Sequence, residues 1–129
     1  MATVKRFEEL LVWQKARNLN IQIISMLNLP VFECEWRLKE QIRSASGSIM
    51  DNVAEGFGRM GNREFANFLL IANGSAMELR SQLTRSLDQG YISPVTHNEL
   101  LSYLDEISRM TYSLIKYLRK NDKLGQRYR

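Results

Sequence analysis

Hydrophobic side chains recur every three or four positions along the chain, which is the spacing of one face of an α-helix. The first apolar stripe stops at Pro30 and predicts a helix over about residues 8–29. The second stripe predicts a helix over about residues 34–58. It fades among the glycines between Gly56 and Gly61, which we interpret as the turn after this helix.

Two further stripes follow that turn. The third predicts a helix over about residues 62–89, with Asn62 as its N-cap. The fourth predicts a helix over about residues 94–120. Its start has two alternatives, a Ser93 cap followed by proline or a capping box that begins at Thr96.

The loops between these helices are short, and no segment alternates with the period of two that is typical of strands. The economical arrangement is an all-α, antiparallel up-down-up-down four-helix bundle. A chain of 129 residues with 44% hydrophobic residues can bury one sizeable core but is too short for two ordinary domains. We therefore predict a single domain over residues 1–129, in which residues 121–129 form a basic tail.

Two glycines, Gly47 and Gly74, lie inside predicted helices. Each costs about 1 kcal/mol relative to alanine at such a position. Close approach of two helices is the first explanation for them. The alternative is a ligand or the backbone of a partner lying against these positions.

The sequence contains no recognisable membrane-spanning segment or signal peptide. No apolar run approaches the roughly 20 residues that span a bilayer, and residues 1–10 lack the apolar centre of a signal peptide. Cys34 is the only cysteine, so the chain can form no internal disulfide. These features predict a soluble protein of the cytoplasm without a membrane partner.

Positive charge is concentrated near the C-terminus. The formal net charge is +4, and the isoelectric point is near 9.4. Residues 1–108 hold 11 Lys and Arg against 13 Asp and Glu, whereas residues 109–129 hold seven against Asp122 alone. We call the seven cations of this last segment the basic ridge: Arg109, Lys116, Arg119, Lys120, Lys123, Arg127 and Arg129.

The basic ridge has two interpretations. Cations are common on solvated helix faces, and near a helix C-terminus they offset the helix dipole. Alternatively, the ridge binds a phosphate backbone, and its repetition around an oligomer adds avidity. Tyr112, Tyr117 and Tyr128 are candidates for stacking on single-stranded bases, but no RNA-binding fingerprint supports sequence-specific readout.

Polar residues border the apolar stripes of the second and third helices. The candidate residues for a polar network or interface are Ser48, Asn52, Glu55, Arg59, Ser75 and Glu78. If the two strips meet, each buried polar group left unpaired costs about 1 to 3 kcal/mol. We interpret the set as a network that fixes helix register, within one chain or across subunits. The alternative is a small-molecule or RNA contact through Asn52, Glu55 and Arg59.

Apolar residues also occur outside the main stripes. Tyr103, Met110 and Tyr117 recur every seven residues on the fourth helix, and Leu70 and Met77 do so on the third. One core rarely accommodates apolar side chains on so many faces, although Tyr and Met are tolerated at the edge of a bundle. These five residues are our candidate oligomer interface.

No constellation of residues indicates an enzyme. Asp51, Glu55 and Glu78 are the best candidates for a carboxylate metal site, but a ferritin-like site also needs Glu-x-x-His motifs on two helices. His97 is the only histidine, and a proline stands three positions before it. We predict no catalytic residues, no metal and no cofactor.

Four ordered segments resemble a known family. They are FEELLVWQK at residues 7–15, QIRSASGSIMDNVAEGFGR at residues 41–59, FANFLLIANGSAMEL at residues 65–79 and Gly90-Tyr91-Ile92. Together they resemble the four-helix bundle family encoded in intervening sequences of bacterial ribosomal RNA genes. The resemblance implies ring-like homopentamers with no established enzymatic activity. A related bundle, the accessory variability determinant of diversity-generating retroelements, is a basic pentamer that engages nucleic acid and a reverse transcriptase; the present chain is less strongly charged.

The sequence thus predicts a non-enzymatic homo-oligomer, with five subunits implied by the resemblance. We expect it to bind nucleic acid, RNA above all, weakly and largely non-specifically through the basic ridge. The alternative is a protein-binding scaffold or adaptor ring that makes no nucleic-acid contact. The expected partners are therefore other copies of the chain together with a nucleic acid or a protein.

Overall fold

The structure, a computed structural model, describes residues 4–122. The described residues form four α-helices and two short 3-10 helices and contain no strand. The α-helices are α1 (Leu11–Leu27), α2 (Trp36–Gly58), α3 (Asn62–Asp88) and α4 (Pro94–Asp122). The 3-10 helices comprise Phe7–Glu9 and Pro30–Cys34. The prediction of an all-α fold with four helices is confirmed.

One hydrophobic core lies between the four helices. Each helix packs against two others, and α1 packs against α4 as well as against α2. Side chains from every helix are fully buried there, for example Leu19, Ile49, Leu79 and Leu104. Within residues 4–122, no helix has the length and hydrophobicity that a membrane span requires.

The first helix begins later than its apolar pattern predicts. The pattern starts at about residue 8, but Leu10 is extended (φ −72°, ψ 127°) and α1 begins at Leu11. This break allows both Phe7 and Leu10 to pack against the core, and their burial offsets the helical hydrogen bonds that are lost. Leu11, which shares the apolar pattern, is 69% exposed.

The connection between α1 and α2 is more ordered than its sequence indicates. The 3-10 helix Pro30–Cys34 buries Phe32 completely, so that α2 begins only at Trp36. The Phe32 ring packs edge-on against Tyr91, with 5.6 Å between the ring centroids. The Tyr91 hydroxyl donates a hydrogen bond to Glu35, and this bond raises the pKa of Tyr91 because it favours the neutral phenol. The α1–α2 connection is thereby held against the α3–α4 connection.

The starts of α3 and α4 are capped differently. Ser93 caps α4, because its Oγ accepts a hydrogen bond from the Thr96 amide at 3.1 Å and the helix begins at Pro94. The predicted N-cap role of Asn62 is wrong. Gly61 occupies the extended cap position without a side-chain cap, and Asn62 lies inside α3 at 2% exposure. No described residue offers a hydrogen-bond partner to its side-chain amide.

Among the helical glycines that the structure describes, only Gly56 allows a close approach between helices. A Cβ atom on Gly56 would lie 2.6 Å from the Cβ of Phe68 and 3.0 Å from Cδ1 of Phe65. Gly47 and Gly74 have no atom within 4 Å of the corresponding position. The prediction that these two glycines allow a close approach of helices is therefore wrong within the described chain. A ligand or partner backbone against them stays a prediction.

Of the glycines expected to form the turn after α2, only Gly61 lies in the connection between the two helices. Helix α2 continues through Gly56 to Gly58, and Gly61 is extended. Met60 takes the left-handed conformation instead, with φ of +67°. Its side chain is 60% exposed, so the unusual backbone conformation places no bulk in the core.

Candidate nucleic-acid interface

The described part of the basic ridge lies along the exposed side of α4. Its members within the described residues are Arg109, Lys116, Arg119 and Lys120. They are spaced by three, four or seven positions, which places them on one side of the helix, and all four are exposed. Within residues 4–122 they form no ion pair. Outside the described residues lie Lys123, Arg127 and Arg129.

Two carboxylates in the middle of the same helix are engaged by neighbouring helices. Asp105 Oδ1 accepts a hydrogen bond from Arg80 Nη1 of α3 at 2.7 Å. Glu106 Oε2 lies 2.7 Å from Lys15 Nζ of α1, and the hydrogen bond from Lys15 lowers the pKa of Glu106. Both carboxylates therefore bridge helices. Neither lies within ion-pair distance of the basic ridge, but the charge of Arg109 also lowers the pKa of Glu106.

Within the described part of the basic ridge, an aromatic side chain lies among the cations. Tyr112 is 56% exposed, and its hydroxyl accepts a hydrogen bond from Asn73 Nδ2 at 3.0 Å. Asn73 Oδ1 in turn accepts a hydrogen bond from Ser108 at 2.9 Å. This support was not predicted from the sequence, in which the only sign of it is an asparagine side chain on the side of α3 that faces α4. Of the other two tyrosines proposed for base stacking, Tyr117 is half-buried and Tyr128 lies outside the described residues.

Helix α3 contributes a cation that the sequence interpretation missed. Arg63, in the first turn of α3, and Arg119 of the basic ridge line one cavity of about 350 Å³. Among the described residues, Ala66 and Asn67 also line it. No periodicity links the two arginines, because only the packing of α3 against α4 brings them together.

Half of the predicted polar network meets between α2 and α3. The Ser48 and Ser75 hydroxyl groups lie 2.8 Å apart across the two helices. Asn52 Nδ2 donates to the Ser48 carbonyl at 2.8 Å and to the Ser48 hydroxyl at 2.9 Å. These bonds satisfy polar groups that border the core, as the interpretation of a register-fixing network requires.

The other predicted members of the network lie apart from these three. Glu55 and Arg59 form an exposed ion pair at 2.7 Å along α2, and the Arg59 guanidinium lies 5.1 Å from the centroid of the Phe68 ring. Glu78 lines an open groove of about 490 Å³ between α2 and α3. At the same groove, Trp36 is 70% exposed.

Two candidate interface residues lie on the outer side of α3. Leu70 is 40% exposed and Met77 is 45% exposed. Ile71 and Gly74 are exposed on the same side. We call these four residues the α3 patch. Gly74 lies at the centre of the patch. A Cβ atom added to Gly74 would have no atom of the described chain within 4 Å.

The three candidate interface residues of α4 lie elsewhere. Tyr103, Met110 and Tyr117 are half-buried and pack against the core on the α1 side of the helix. Lys15 Nζ lies 5.2 Å from the centroid of the Tyr103 ring. Met110 and Tyr117 line a largely apolar groove of about 550 Å³ between α1 and α4, beside the exposed Leu11. We call it the α1–α4 groove.

Groups able to carry out chemistry are dispersed over the described residues. Within residues 4–122, no three His, Cys, Asp or Glu side chains lie close enough to hold a metal ion. His97 Nε2 lies 3.2 Å from the Thr84 hydroxyl, and Cys34 is exposed. The basic ridge, in contrast, places four exposed cations on one side of α4.

Comparisons with known proteins support the architecture. The sequence model of the family described as 23S rRNA-intervening sequence protein matches residues 8–113. A solved structure from Bacteroides thetaiotaomicron VPI-5482, a protein with unknown function from the S23 ribosomal protein family, is similar with a TM-score of 0.75 and 24% sequence identity. The similarity covers 82% of this chain and 99% of that chain. No curated protein matches the sequence. The extent of the family match confirms the resemblance, and the chain belongs to the 23S rRNA-intervening sequence protein family.

Proposed function

We propose that this protein is a homo-oligomeric, non-enzymatic bundle that binds single-stranded RNA through the basic ridge, weakly and with little sequence preference. The proposal rests on one observation above all. Four exposed cations without an ion pair in residues 4–122 follow one side of α4, whereas the Asp105 and Glu106 carboxylates are bound to other helices.

Such a surface suits a phosphate backbone because its attraction is electrostatic and independent of sequence. Tyr112 adds a stacking platform among the cations, and a base stacked on an aromatic ring contributes about 1 to 3 kcal/mol. The Asn73 hydrogen bond restrains the tyrosine through its hydroxyl. Stacking of this kind accepts any base, which agrees with weak sequence preference.

The order of contacts between helices supports the antiparallel up-down-up-down arrangement that we propose for the bundle. As contacts proceed along α2 from residue 41 through 48 to 56, their partners on α3 recede from residue 85 through 75 to 65. In such a bundle α3 and α4 lie side by side on one surface. The α3 patch and the basic ridge can then serve assembly and RNA binding separately.

Oligomerisation matters to the proposal because one ridge carries few charges. A ring, with five subunits as the family resemblance implies, repeats the ridge once per subunit, so a single strand engages several ridges. The α3 patch is our proposed contact between subunits. Its apolar side chains flank Gly74, where a partner backbone can approach without meeting a side chain.

Replacing Gly74 with leucine tests this contact. A Cβ atom at this exposed position has no neighbour within 4 Å in its own subunit, so the helices are expected to remain folded. The leucine side chain would separate the two backbones at the interface, and we expect association to weaken at least about tenfold, which is about 1.4 kcal/mol. Light scattering should show the fall in mass. Asn98→Leu, at an exposed position of α4, is the matched control and should leave the mass unchanged. A Gly74→Leu oligomer of unchanged mass with a raised melting temperature would mean that the patch faces solvent.

The salt dependence of RNA binding tests the function itself. A labelled single-stranded RNA of mixed sequence is titrated with the protein, and its anisotropy is followed at a series of salt concentrations. For single strands the logarithm of the binding constant falls by about 0.7 per contacted phosphate for each tenfold rise in salt. Four contacts per subunit thus give a slope of about −3 for each engaged ridge. A binding constant that does not change with salt concentration would contradict the proposal.

A protein-binding scaffold is the second candidate, favoured by the α1–α4 groove. Leu11 is 69% exposed beside this groove, and its lining is mostly apolar. A partner bound there would remain bound as salt is raised, because burial of apolar surface is little affected by charge screening. The same salt series therefore distinguishes the two candidates if a stoichiometric protein co-purifies.

A further inference from the structure

The outer side of α1 carries a second exposed apolar surface. Ile21 is 52% exposed and Ile24 is 48% exposed, whereas the neighbouring Ile23 is fully buried in the core. The two exposed isoleucines lie three positions apart, which places them on the same side of the helix. We call these two residues the α1 patch.

The α1 patch and the α3 patch lie on opposite sides of the bundle. Helix α1 packs against α2 and α4, and α3 packs against the same two helices. The two helices therefore stand diagonally across the bundle, and their exposed sides face away from each other. A contact between two α3 patches would leave both α1 patches exposed. A contact between the α3 patch of one subunit and the α1 patch of the next covers both, and head-to-tail contacts of this kind generate rings.

The charges beside the two patches are complementary. Arg17 is exposed on α1, seven positions before Ile24, and α1 contains no acidic residue. Glu64 is exposed in the first turn of α3, seven positions before Ile71. Within residues 4–122 neither charged side chain forms an ion pair. If Ile24 of one subunit lies against Ile71 of the next and the two helices run in the same direction, these two charges also meet.

The symmetry of a ring supplies this common direction. In the up-down-up-down bundle that we propose, α1 and α3 of one subunit run in the same direction. The rotation between neighbours in a five-membered ring is smaller than a right angle, so α1 of the next subunit keeps that general direction beside α3. Glu78 lies seven positions after Ile71, at the other end of the α3 patch. It would face Arg17 only if the two helices ran in opposite directions.

We propose that the α1 patch of each subunit docks on the α3 patch of the next subunit, with Arg17 paired to Glu64 across the contact. The inference rests on the proposed function and identifies the second half of its subunit contact. Helix α4 lies between α1 and α3, so the contact leaves the exposed side of α4 uncovered. All the basic ridges then lie on one surface of the ring, where a single RNA strand can reach several of them.

Cross-linking of engineered cysteines tests the contact. Cys34, the only native cysteine, is first replaced by serine. In this background the double variant Ile24→Cys/Ile71→Cys is treated with a short bis-maleimide and separated on a denaturing gel. We expect covalent species larger than a dimer, because each subunit is then joined to two neighbours. The single variants Ile24→Cys and Ile71→Cys are the controls and should remain monomeric on the gel.

The outcomes separate this contact from the proposed function. A covalent dimer of the Ile71→Cys variant alone would mean that two α3 patches meet each other, and it would overturn the inference. An oligomer of the double variant that yields no cross-linked species would overturn it as well. In both cases the assembly and the RNA binding of the proposed function would stand. A wild-type protein that is a monomer in light scattering would remove the assembly and the inference together.

An exchange of charges tests the direction of the contact. Arg17→Glu places two like charges together, and we expect association to weaken about fivefold. Adding Glu64→Arg should restore association, whereas adding Glu78→Arg, which changes the net charge equally, should not. Arg43→Glu, at an exposed position of α2, is the control for the single variant and should leave association unchanged. Association that Glu64→Arg does not restore would overturn the inference.

Discussion

Replacing Gly56 with alanine is expected to lower the free energy of unfolding by about 3 kcal/mol, the upper part of the usual range for overpacking a core. The added Cβ would lie 2.6 Å from the Cβ of Phe68 and 3.0 Å from the ring of Phe65. The Phe68 Cβ is bonded directly to the backbone, so it can move only if α3 moves away from α2. Chemical denaturation followed by circular dichroism measures the loss.

Gly58→Ala is the matched control for this substitution. Gly58 lies in the same helix two positions later, but a Cβ there has no neighbour within 4 Å. Alanine at this position should leave stability unchanged or raise it by up to about 1 kcal/mol, because alanine is the better helix former. Equal stabilities of Gly56→Ala and Gly58→Ala would show that α2 and α3 are not in close contact at Gly56.

Reversing three charges of the basic ridge, in the variant Lys116→Glu/Arg119→Glu/Lys120→Glu, is expected to reduce RNA affinity at low salt by at least about 100-fold. Each substitution removes a phosphate contact and adds a charge that repels the backbone. The three side chains are exposed and form no ion pair in residues 4–122, so the fold should tolerate the change. Anisotropy of a labelled single-stranded RNA measures the loss.

A second triple variant controls for the change in net charge. Arg37→Glu/Lys39→Glu/Arg43→Glu alters the net charge by the same amount on α2, away from the ridge. It should bind RNA with close to wild-type affinity at physiological salt, where the Debye length is about 8 Å. If both triple variants lose affinity equally, binding depends on total charge, and the ridge has no special role.

Sequence periodicity predicted the number of helices because each helix buries one continuous apolar stripe in a shared core. It predicted the ends of α1 poorly. Leu10 follows the helical pattern but is extended, and Phe32 lies in a 3-10 helix that places a fully buried ring between α1 and α2. The position of such a single turn depends on how one large side chain reaches the core. A repeating sequence pattern cannot show this.

The glycines illustrate a second limit. The sequence predicted close helix packing at Gly47 and Gly74 and a turn beginning at Gly56. Only Gly56 touches a neighbouring helix, because helix separation varies along the bundle and depends on every pair of facing side chains. Which glycine permits close packing is therefore a property of the packed structure.

The residues of the candidate site likewise include some that the sequence predicted and some that it did not. Heptad spacing was enough to place Arg109 and Lys116 on one exposed side of a helix. It could not identify Arg63 or Asn73, because each meets α4 only through tertiary packing. The five candidate interface residues lie on two separate surfaces for a related reason. Periodicity defines the face of a helix but does not show which neighbouring helix covers that face.

Multi-angle light scattering of the purified protein, with and without a mixed-sequence single-stranded RNA, addresses assembly and binding in one experiment. The samples are compared at low and at near-physiological salt. We expect an oligomer in all of them, with a pentamer as the family resemblance implies, and an added mass of RNA at low salt that falls as salt is raised. An oligomer that gains no RNA mass at low salt would contradict RNA binding by the basic ridge, and a monomer would contradict the assembly on which its avidity depends.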